Sequence, residues 1–352
     1  MSRKTEQLRA ERLAQEKRNK KPHWMLVFMI IVDICAVCCF VLAYSNLSVS
    51  DSFRNWLVTT ALGTGRHRYL AYVLYDDETV KEIAADNTLT PPSGITNVDD
   101  IQFVDYSDVT EFENPYDREI LTKDPDNDDY KIIPIRENGY AGYICVIYHP
   151  EKLDVATASS KYGELISTMA RKNKATVATN CSGFVFDSES HYMIPTTDIV
   201  KNGKIVYSFG KKGYLIGMNY DGVLILKKGT AKDAVNNNYK WAVQFGPYLI
   251  VNGEPATFKG KYPGGLEPRT AIGQRKDGIV LLVVIDGRGY NRSKGISYAG
   301  LIDIFTRYGC YNAANLDGGG SSAMVVNYKV INSPCDYKTG ERYNVASLIY
   351  TP

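Results

Sequence analysis

NLDGGGSSAM, residues 315–324, places a short apolar run before a carboxylate, three glycines and two serines. The pattern predicts a strand, a tight loop and a second strand. Because glycine lacks Cβ, it adopts positive φ and lets backbone N–H groups approach a ligand, and consecutive N–H groups form an anion-binding concavity. A glycine hairpin without a ligand is the alternative, and the flanking Asp and Ser residues favour a site.

Further strands are predicted upstream of this stretch. Residues 278–285 form a continuous apolar run, typical of a strand buried on both faces, and the run ends at Asp286. Ser297 is placed to cap a helix that stops at a glycine, and the strand 311–316 then leads to Asp317. A right-handed crossover makes the two strands neighbours, which brings both carboxylates to one sheet end, where ligands bind.

Three more motifs precede the glycine stretch: NCSGF at 180–184, PRTAIG at 268–273 and DGR at 286–288. In this order, and together with NLDGGGSSAM, they resemble the phosphodiester glycosidase family from about residue 140 to the C-terminus. The resemblance implies a mixed, β-rich α+β domain with flanking helices that cleaves sugar-1-phosphodiesters.

One position departs from the family pattern. The family usually carries a Glu in the helix after Ser297, and the corresponding residue here is Gly300. If that Glu is catalytic in the family, this chain either uses another acid, such as Glu267 or Asp303, or has lost activity.

The chemistry of a sugar-1-phosphodiester suits two carboxylates beside an anion site. The anomeric C–O bond breaks through an oxocarbenium-like transition state, which a carboxylate stabilises or supplies with activated water. We predict Asp317 as the principal catalytic carboxylate, and Asp286 as its partner or as an orienter of Arg288; the alternative is that Asp286 caps a turn. The residues predicted to bind substrate are Asn180, Gly183, Arg269, Arg288, Asn315, Gly318, Gly319, Gly320, Ser321 and Ser322.

Two of these assignments have a plain structural alternative. The planar guanidinium of Arg269 fits a phosphate, but the local sequence is equally compatible with a surface arginine in a salt bridge. Asn180 ends a predicted buried strand, 175–179, and is either a turn residue or an amide directed at substrate.

Composition limits the function classes. Residues 1–24 carry eight Lys/Arg against three Glu, so the rest of the chain has a slight excess of acidic residues and is not a nucleic-acid binder by charge. The four histidines fall outside the motifs, which argues against a histidine triad or a zinc hydrolase. We predict no cofactor and name no metal ligands, and the sequence leaves a metal requirement open. The sequence leaves open which of Cys145, Cys181, Cys310 and Cys335 pair.

The N-terminal part predicts a membrane anchor. Residues 24–45 are nearly all apolar and long enough to cross the roughly 30 Å hydrocarbon core. The basic residues in 1–23 favour a cytoplasmic tail and place the remainder outside the cytoplasm. We predict a stalk or small membrane-proximal subdomain at 46–130 and the catalytic domain at 131–352.

The sequence therefore predicts a single-pass membrane enzyme that hydrolyses the glycosidic C–O bond of a sugar-1-phosphodiester in a cell-surface glycan or teichoic-acid-like polymer. Three alternatives stay open. They are a glycan-binding module of the same fold without turnover, a phosphodiesterase that cleaves P–O, and a structural partner in exopolysaccharide assembly.

Overall fold

The structure, a computed structural model, describes residues 7, 11, 12, 23–64, 67–104, 111–261, 263–336 and 340–352. Most of the predicted tail 1–23 therefore lies outside the described residues. The helices within these ranges are α1 His23–Tyr44, α2 Ser48–Gly63, α3 Tyr69–Leu74, α4 Asp77–Asp86, α5 Pro115–Leu121, α6 Ile166–Lys172, α7 Ala231–Asn236 and α8 Tyr298–Arg307.

The strands are short and numerous, as the predicted β-rich fold requires. They are β1 Leu89–Thr90, β2 Tyr130–Glu137, β3 Tyr140–Ile147, β4 Leu153–Thr157, β5 Glu164–Leu165, β6 Val177–Asn180, β7 Phe184–Phe186, β8 Met193–Pro195, β9 Ile199–Lys201, β10 Lys204–Tyr207, β11 Gly213–Asn219, β12 Leu224–Gly229, β13 Tyr239–Gln244, β14 Tyr248–Val251, β15 Glu254–Pro255, β16 Thr257–Phe258, β17 Arg269–Arg275, β18 Val280–Ile285, β19 Cys310–Asn315, β20 Met324–Val326, β21 Lys329–Val330, β22 Tyr343–Asn344 and β23 Ala346–Tyr350.

The chain forms two compact units, residues 1–57 and residues 58–352. The first contains α1, in which residues Trp24–Tyr44 are long and apolar enough to cross a membrane, with a mean hydropathy of 3.0. In the second unit, β1 pairs with β16, and the Leu226 N–H donates to the Thr96 hydroxyl at 2.9 Å. Residues 89–96 thus pack on the sheets, and the predicted boundaries at 45 and 130 stay predictions.

Three larger sheets make up the second unit. The seven-stranded sheet has the order β15-β14-β19-β17-β18-β3-β2, and two five-stranded sheets have the orders β21-β20-β6-β23-β4 and β10-β9-β13-β11-β12. Together with the helices, these sheets confirm the predicted mixed α+β fold.

The seven-stranded sheet is buried on both faces. Leu282 faces a core shared with Met324 of β20, whereas Leu281 on the opposite face packs into a core that contains Phe305 of α8. The apolar run at 278–285 indicated a strand of this kind. Every cysteine is a free thiol; Cys145, Cys181 and Cys310 are buried and Cys335 is partly exposed.

The predicted adjacency of the strands before and after α8 is wrong. β17 lies between β18 and β19 and is antiparallel to both, with Arg269 opposite Ile285 and Ala271 opposite Asn315. The crossover therefore spans one intervening strand, whose hydrogen bonds to both partners exclude direct pairing. Since β18 and β19 run parallel, their C-terminal ends still meet at the same sheet edge, as predicted.

Candidate active site

The candidate site lies at the edge of the seven-stranded sheet where β18 and β19 end and β17 begins. Asp286 follows β18 directly and Asp317 follows β19 by two residues. Arg269, the first residue of β17, lies in the strand between them. The strand order therefore brings together three motifs that are up to 48 residues apart in sequence.

The glycine stretch forms a short loop that passes from the seven-stranded sheet to β20. Gly319 has φ of +61°, and its N–H donates to the Pro268 carbonyl at 2.8 Å. A Cβ on Gly318 would lie 2.9 Å from that same carbonyl oxygen. Glycine is thus required at 319 for conformation and at 318 for close approach. The Gly319 N–H serves the fold and is engaged before any ligand binds.

Asp317 supplies the carboxylate at the start of the glycine loop. Burial raises the pKa of this carboxyl group from 3.8 to about 6, against the stabilising effects of the Ser321 hydroxyl, the Gly318 N–H and the charge of Arg342. A desolvated carboxyl group whose pKa lies near neutral pH is typical of groups that exchange protons or stabilise developing charge.

Asn180, at the end of β6, joins the strands that surround Asp317. Its Nδ2 donates to the backbone carbonyl of Asp317, and its Oδ1 accepts from the Thr270 hydroxyl at 2.7 Å and from the Ala323 N–H at 3.2 Å. The side chain is fully buried. These contacts make Asn180 a positioning residue for the loop, and its predicted contact with substrate stays a prediction.

Gly183 lies three residues further on, where the chain turns into β7. A Cβ at this position would lie 3.1 Å from the Phe245 ring and 3.1 Å from the Thr196 hydroxyl. The glycine therefore lets the β7–β8 hairpin approach the segment that leads into β14.

Both carboxylate oxygens of Asp286 accept hydrogen bonds from the protein. Oδ1 accepts from Asn332 Nδ2 at 2.8 Å and from the Ser333 N–H at 2.9 Å, and Oδ2 accepts from Asn291 Nδ2 at 3.0 Å. Asn332 Nδ2 also donates to the Ser322 carbonyl at 3.1 Å. Asp286 is 1% exposed and thus fixes the glycine loop through Asn332. The predicted role of Asp286 as catalytic partner stays a prediction.

Asn332 is a site residue that sequence reasoning missed. Its Oδ1 accepts from the Met324 N–H at 2.8 Å, so this one amide contacts both the loop and the start of β20. It lies in irregular structure after β21, and no local pattern around it indicates a role.

Arg269 is buried, and its guanidinium contacts the protein. Nη2 donates to the Gly264 carbonyl and, at 3.5 Å, to the Gly265 carbonyl, and Nε donates to the Ile296 carbonyl at 3.4 Å. The guanidinium carbon lies 4.1 Å from the centroid of the Tyr298 ring. These contacts tie the 263–265 turn to α8, and phosphate binding by Arg269 stays a prediction.

Arg288 lies against the glycine loop from one side. Its Nη2 would be 3.4 Å from a Cβ on Gly319, and its Nε and Nη2 donate to Glu267 Oε2 at 3.1 and 2.8 Å. The side chain is 39% exposed, so part of the guanidinium faces solvent. The carboxylate of Glu267 orients Arg288, a role that the sequence had given to Asp286.

Arg342 borders the same loop at Gly320 and was not predicted. A Cβ on Gly320 would lie 2.8 Å from the guanidinium carbon of Arg342. Asp336 accepts from Arg342 Nε at 3.0 Å, and the side chain is 42% exposed. The glycine loop therefore has a partly exposed arginine beside Gly319 and another beside Gly320, each held by its own carboxylate.

Two buried polar atoms of the glycine stretch 315–324 have no protein partner among the described residues. They are Oδ1 of Asn315 and the Ser322 hydroxyl. Asn315 otherwise donates from Nδ2 to the Gly246 carbonyl at 2.8 Å. Because an unpaired buried polar group is costly, such atoms are consistent with a site that binds a polar ligand.

The structure distinguishes the two acids considered in place of a residue at 300. Glu267 is 3% exposed and lies beside the loop through Arg288, whereas Asp303 is 58% exposed and pairs with Arg307 on α8. A Cβ on Gly300 would lie 2.5 Å from the Ile296 side chain, which occupies the space. No group of three or more His, Cys, Asp or Glu side chains suited to a metal ion occurs within the described ranges.

The fold and the site define a mixed α+β domain with a partly buried carboxylate at the start of a glycine loop. Residues 173–350, about half of the chain, match the phosphodiester glycosidase family. The chain belongs to this family.

The chain is also similar to individual proteins. The chain is 31% identical over 186 residues to the SPbeta prophage-derived uncharacterized protein YomE of Bacillus subtilis, covering 49% of this chain and 28% of that protein. It is 25% identical over 197 residues to bovine N-acetylglucosamine-1-phosphodiester alpha-N-acetylglucosaminidase, covering 51% of this chain and 36% of the enzyme. The chain thus spans about a third of the length of these relatives.

A solved structure shows the same fold. The catalytic domain of zebrafish N-acetylglucosamine-1-phosphodiester alpha-N-acetylglucosaminidase superposes with a TM-score of 0.51 at 21% identity. The match covers 64% of this chain and 82% of the zebrafish chain.

Proposed function

We propose that the protein hydrolyses the glycosidic C–O bond of a sugar-1-phosphodiester. The observation that carries this proposal is the Asp317 carboxyl group, with its pKa raised to about 6, in a glycine loop bordered by two partly exposed guanidinium groups. Family membership and the relatives that act on N-acetylglucosamine-1-phosphodiesters support the same reaction.

The proposed chemistry divides the site into two parts. Arg288 and Arg342, with the Ser322 hydroxyl, hold the phosphate anion, because planar guanidinium groups match phosphate oxygens. The C1–O bond breaks, its electron pair stays on the phosphate oxygen, and water adds to C1 of the sugar. Asp317 stabilises the positive charge on the sugar or accepts the proton of that water.

We assign the substrate to a cell-surface glycan or teichoic-acid-like polymer. The support is the apolar helix α1, which suits a single-pass anchor, and the basic residues before it, which favour a cytoplasmic N-terminus. With a cytoplasmic N-terminus, the proposed catalytic residues would lie outside the cytoplasm, where such a substrate occurs.

A second candidate is a glycan-binding domain without turnover. It is favoured by the first turn of α8, which carries Gly300 with the Ile296 side chain filling the adjacent space. Such a protein would retain the two arginines and the loop while lacking an acid at position 300 of the helix.

Isotope transfer tests the proposal on the full chain in detergent. The chain is incubated with a panel of sugar-1-phosphodiesters in oxygen-18 water, with and without EDTA, beside Asp317→Asn. We expect the label in the released sugar and loss of release in the variant. A matched control is Asp303→Asn, because Asp303 is an exposed acid paired with Arg307.

The other results have distinct meanings. Label in the phosphate would show cleavage of P–O and overturn the proposed reaction. Binding of the phosphodiesters without release of sugar would favour the glycan-binding domain. Equal loss of activity in Asp317→Asn and Asp303→Asn would contradict a special role of Asp317.

A further inference from the structure

The five-stranded sheet β10-β9-β13-β11-β12 carries a concentration of positive charge. Eight lysines lie between residues 199 and 240, against two acidic residues, in a chain with a net charge of only +2. Clustered charge of one sign attracts polyanions and raises their local concentration.

At the end of this sheet where β11 begins, two of the lysines lie beside aromatic rings. Lys211 Nζ lies 5.4 Å from the ring centroid of Phe209, which is 47% exposed. Lys228 Nζ lies 4.9 Å from the ring centroid of Tyr214, its cross-strand partner. We call these four residues the lysine–aromatic rim. Neither lysine forms an ion pair with a described residue.

The rim is continuous with the candidate active site. A Cβ on Gly246 would lie 2.7 Å from the Tyr214 ring, so the glycine packs directly on that ring. The Gly246 carbonyl accepts from Asn315 Nδ2 at 2.8 Å, and Asn315 begins the glycine stretch. On the other side, the Lys211 carbonyl accepts from Gln244 Nε2 at 2.8 Å. The rim and the catalytic edge are thus joined through residues 244–246.

We infer that the lysine–aromatic rim is an extended subsite for an anionic glycan chain with repeating phosphodiesters. Lys211 and Lys228 neutralise phosphates beyond the one at the glycine loop, and the exposed ring of Phe209 packs against a sugar ring, while the Tyr214 ring positions Lys228. The inference rests on the proposed function, since it extends the same site from a single phosphodiester to a polymer. Continuity with Asn315 favours a chain that enters the catalytic edge over a lipid surface.

Equilibrium binding tests the inference, with the full chain carrying Asp317→Asn in nanodiscs of zwitterionic lipid so that the probes are not hydrolysed, and the lysine substitutions below are added to this chain. The probes are a fluorescent tetramer of glucose linked by 1-phosphodiesters and the corresponding single phosphodiester. We expect Lys211→Gln/Lys228→Gln to raise the Kd of the tetramer about tenfold and to leave that of the single unit unchanged. The log–log salt slope should fall in magnitude by about 1 to 2, since each lost phosphate contact removes close to one counterion.

A matched control removes the same charge elsewhere. Lys174 and Lys329 are exposed and lie outside this sheet, so Lys174→Gln/Lys329→Gln should bind the tetramer as the Asp317→Asn chain does. An equal loss of affinity for the tetramer in both double variants would show that only net charge matters and would overturn the subsite. Binding of the tetramer no tighter than that of the single unit would overturn it as well.

Lipid is the competing occupant and is tested in the same way. An effect of Lys211→Gln/Lys228→Gln that appears only in nanodiscs with anionic lipid would assign the rim to the membrane and overturn the inference. Because binding is measured without turnover, absence of hydrolysis counts against the proposed function alone.

Discussion

At the scale of single residues, Asp317 has the property that most directly links structure to activity. Burial raises its pKa to about 6, so the carboxyl group is protonated below that pH and ionised above it. Because the proposed role requires the ionised form, kcat/KM should rise about tenfold per pH unit below 6 and level off above 7. A pH–rate profile measures this, and activity that falls above pH 6 would instead make Asp317 a proton donor.

Asn332 acts on the site only through its neighbours. Asn332→Ala removes one hydrogen bond each to Asp286, to Ser322 in the loop and to Met324 in β20, so kcat should fall about ten- to a hundredfold and the Tm should drop, with an expected loss of about 2–4 kcal/mol in the free energy of unfolding. A positioning role predicts a lower kcat at nearly constant KM. Asn236→Ala, in the exposed end of α7, is the control; unchanged kcat in Asn332→Ala would contradict the role.

Sequence reasoning could find Asp317 but not Asn332 or Arg342, for a physical reason. The carboxylate precedes three glycines whose backbone requirements are local, and these leave a recognisable pattern. Asn332 and Arg342 lie in irregular segments, and they reach the loop only because β20, β21 and β23 fold back beside it. Arg269 shows the reverse case, because its motif was recognised, but its partners are backbone carbonyl groups, which leave no pattern of residue types in the sequence.

At the scale of elements, local sequence signals predict the strands and the helix but not the order of the strands in the sheet. The apolar run to 285, the cap at Ser297 and the stop at Gly309, which has φ of +72°, all match β18 and α8. The insertion of β17 between β18 and β19 depends on long-range hydrogen bonds, which periodicity does not report. The same insertion puts the start of β17 at the sheet edge that holds the candidate active site.

The cap of α8 gives a prediction at this scale. The Ser297 hydroxyl accepts from the Gly300 N–H at 3.3 Å, and this is the side-chain cap of a helix that packs on the central sheet. Ser297→Ala should lower the free energy of unfolding by about 1 kcal/mol and shift the Tm by a few degrees. Thermal unfolding of the full chain in detergent measures this. The exposed Ser208→Ala should leave the Tm unchanged, and a Tm equal to the native value in Ser297→Ala would contradict the cap.

At the scale of the whole molecule, charge and apolarity are divided along the chain. The basic residues concentrate before α1 and in the sheet that carries the lysine–aromatic rim, while the remainder has more acidic than basic residues. Two requirements of the proposed function explain this division. A basic flank fixes the direction of the anchor, and a basic sheet beside the site attracts an anionic polymer.

The direction of the anchor is the last prediction, and it decides which compartment the substrate must occupy. With the basic tail inside, Ser188→Cys, in the exposed turn between β7 and β8, should react with a membrane-impermeant maleimide in intact cells. Ser2→Cys should react only after the cells are permeabilised. The unaltered chain supplies the background, because Cys335 is the partly exposed thiol outside α1. The opposite pattern would place the catalytic edge in the cytoplasm and exclude a surface glycan as substrate.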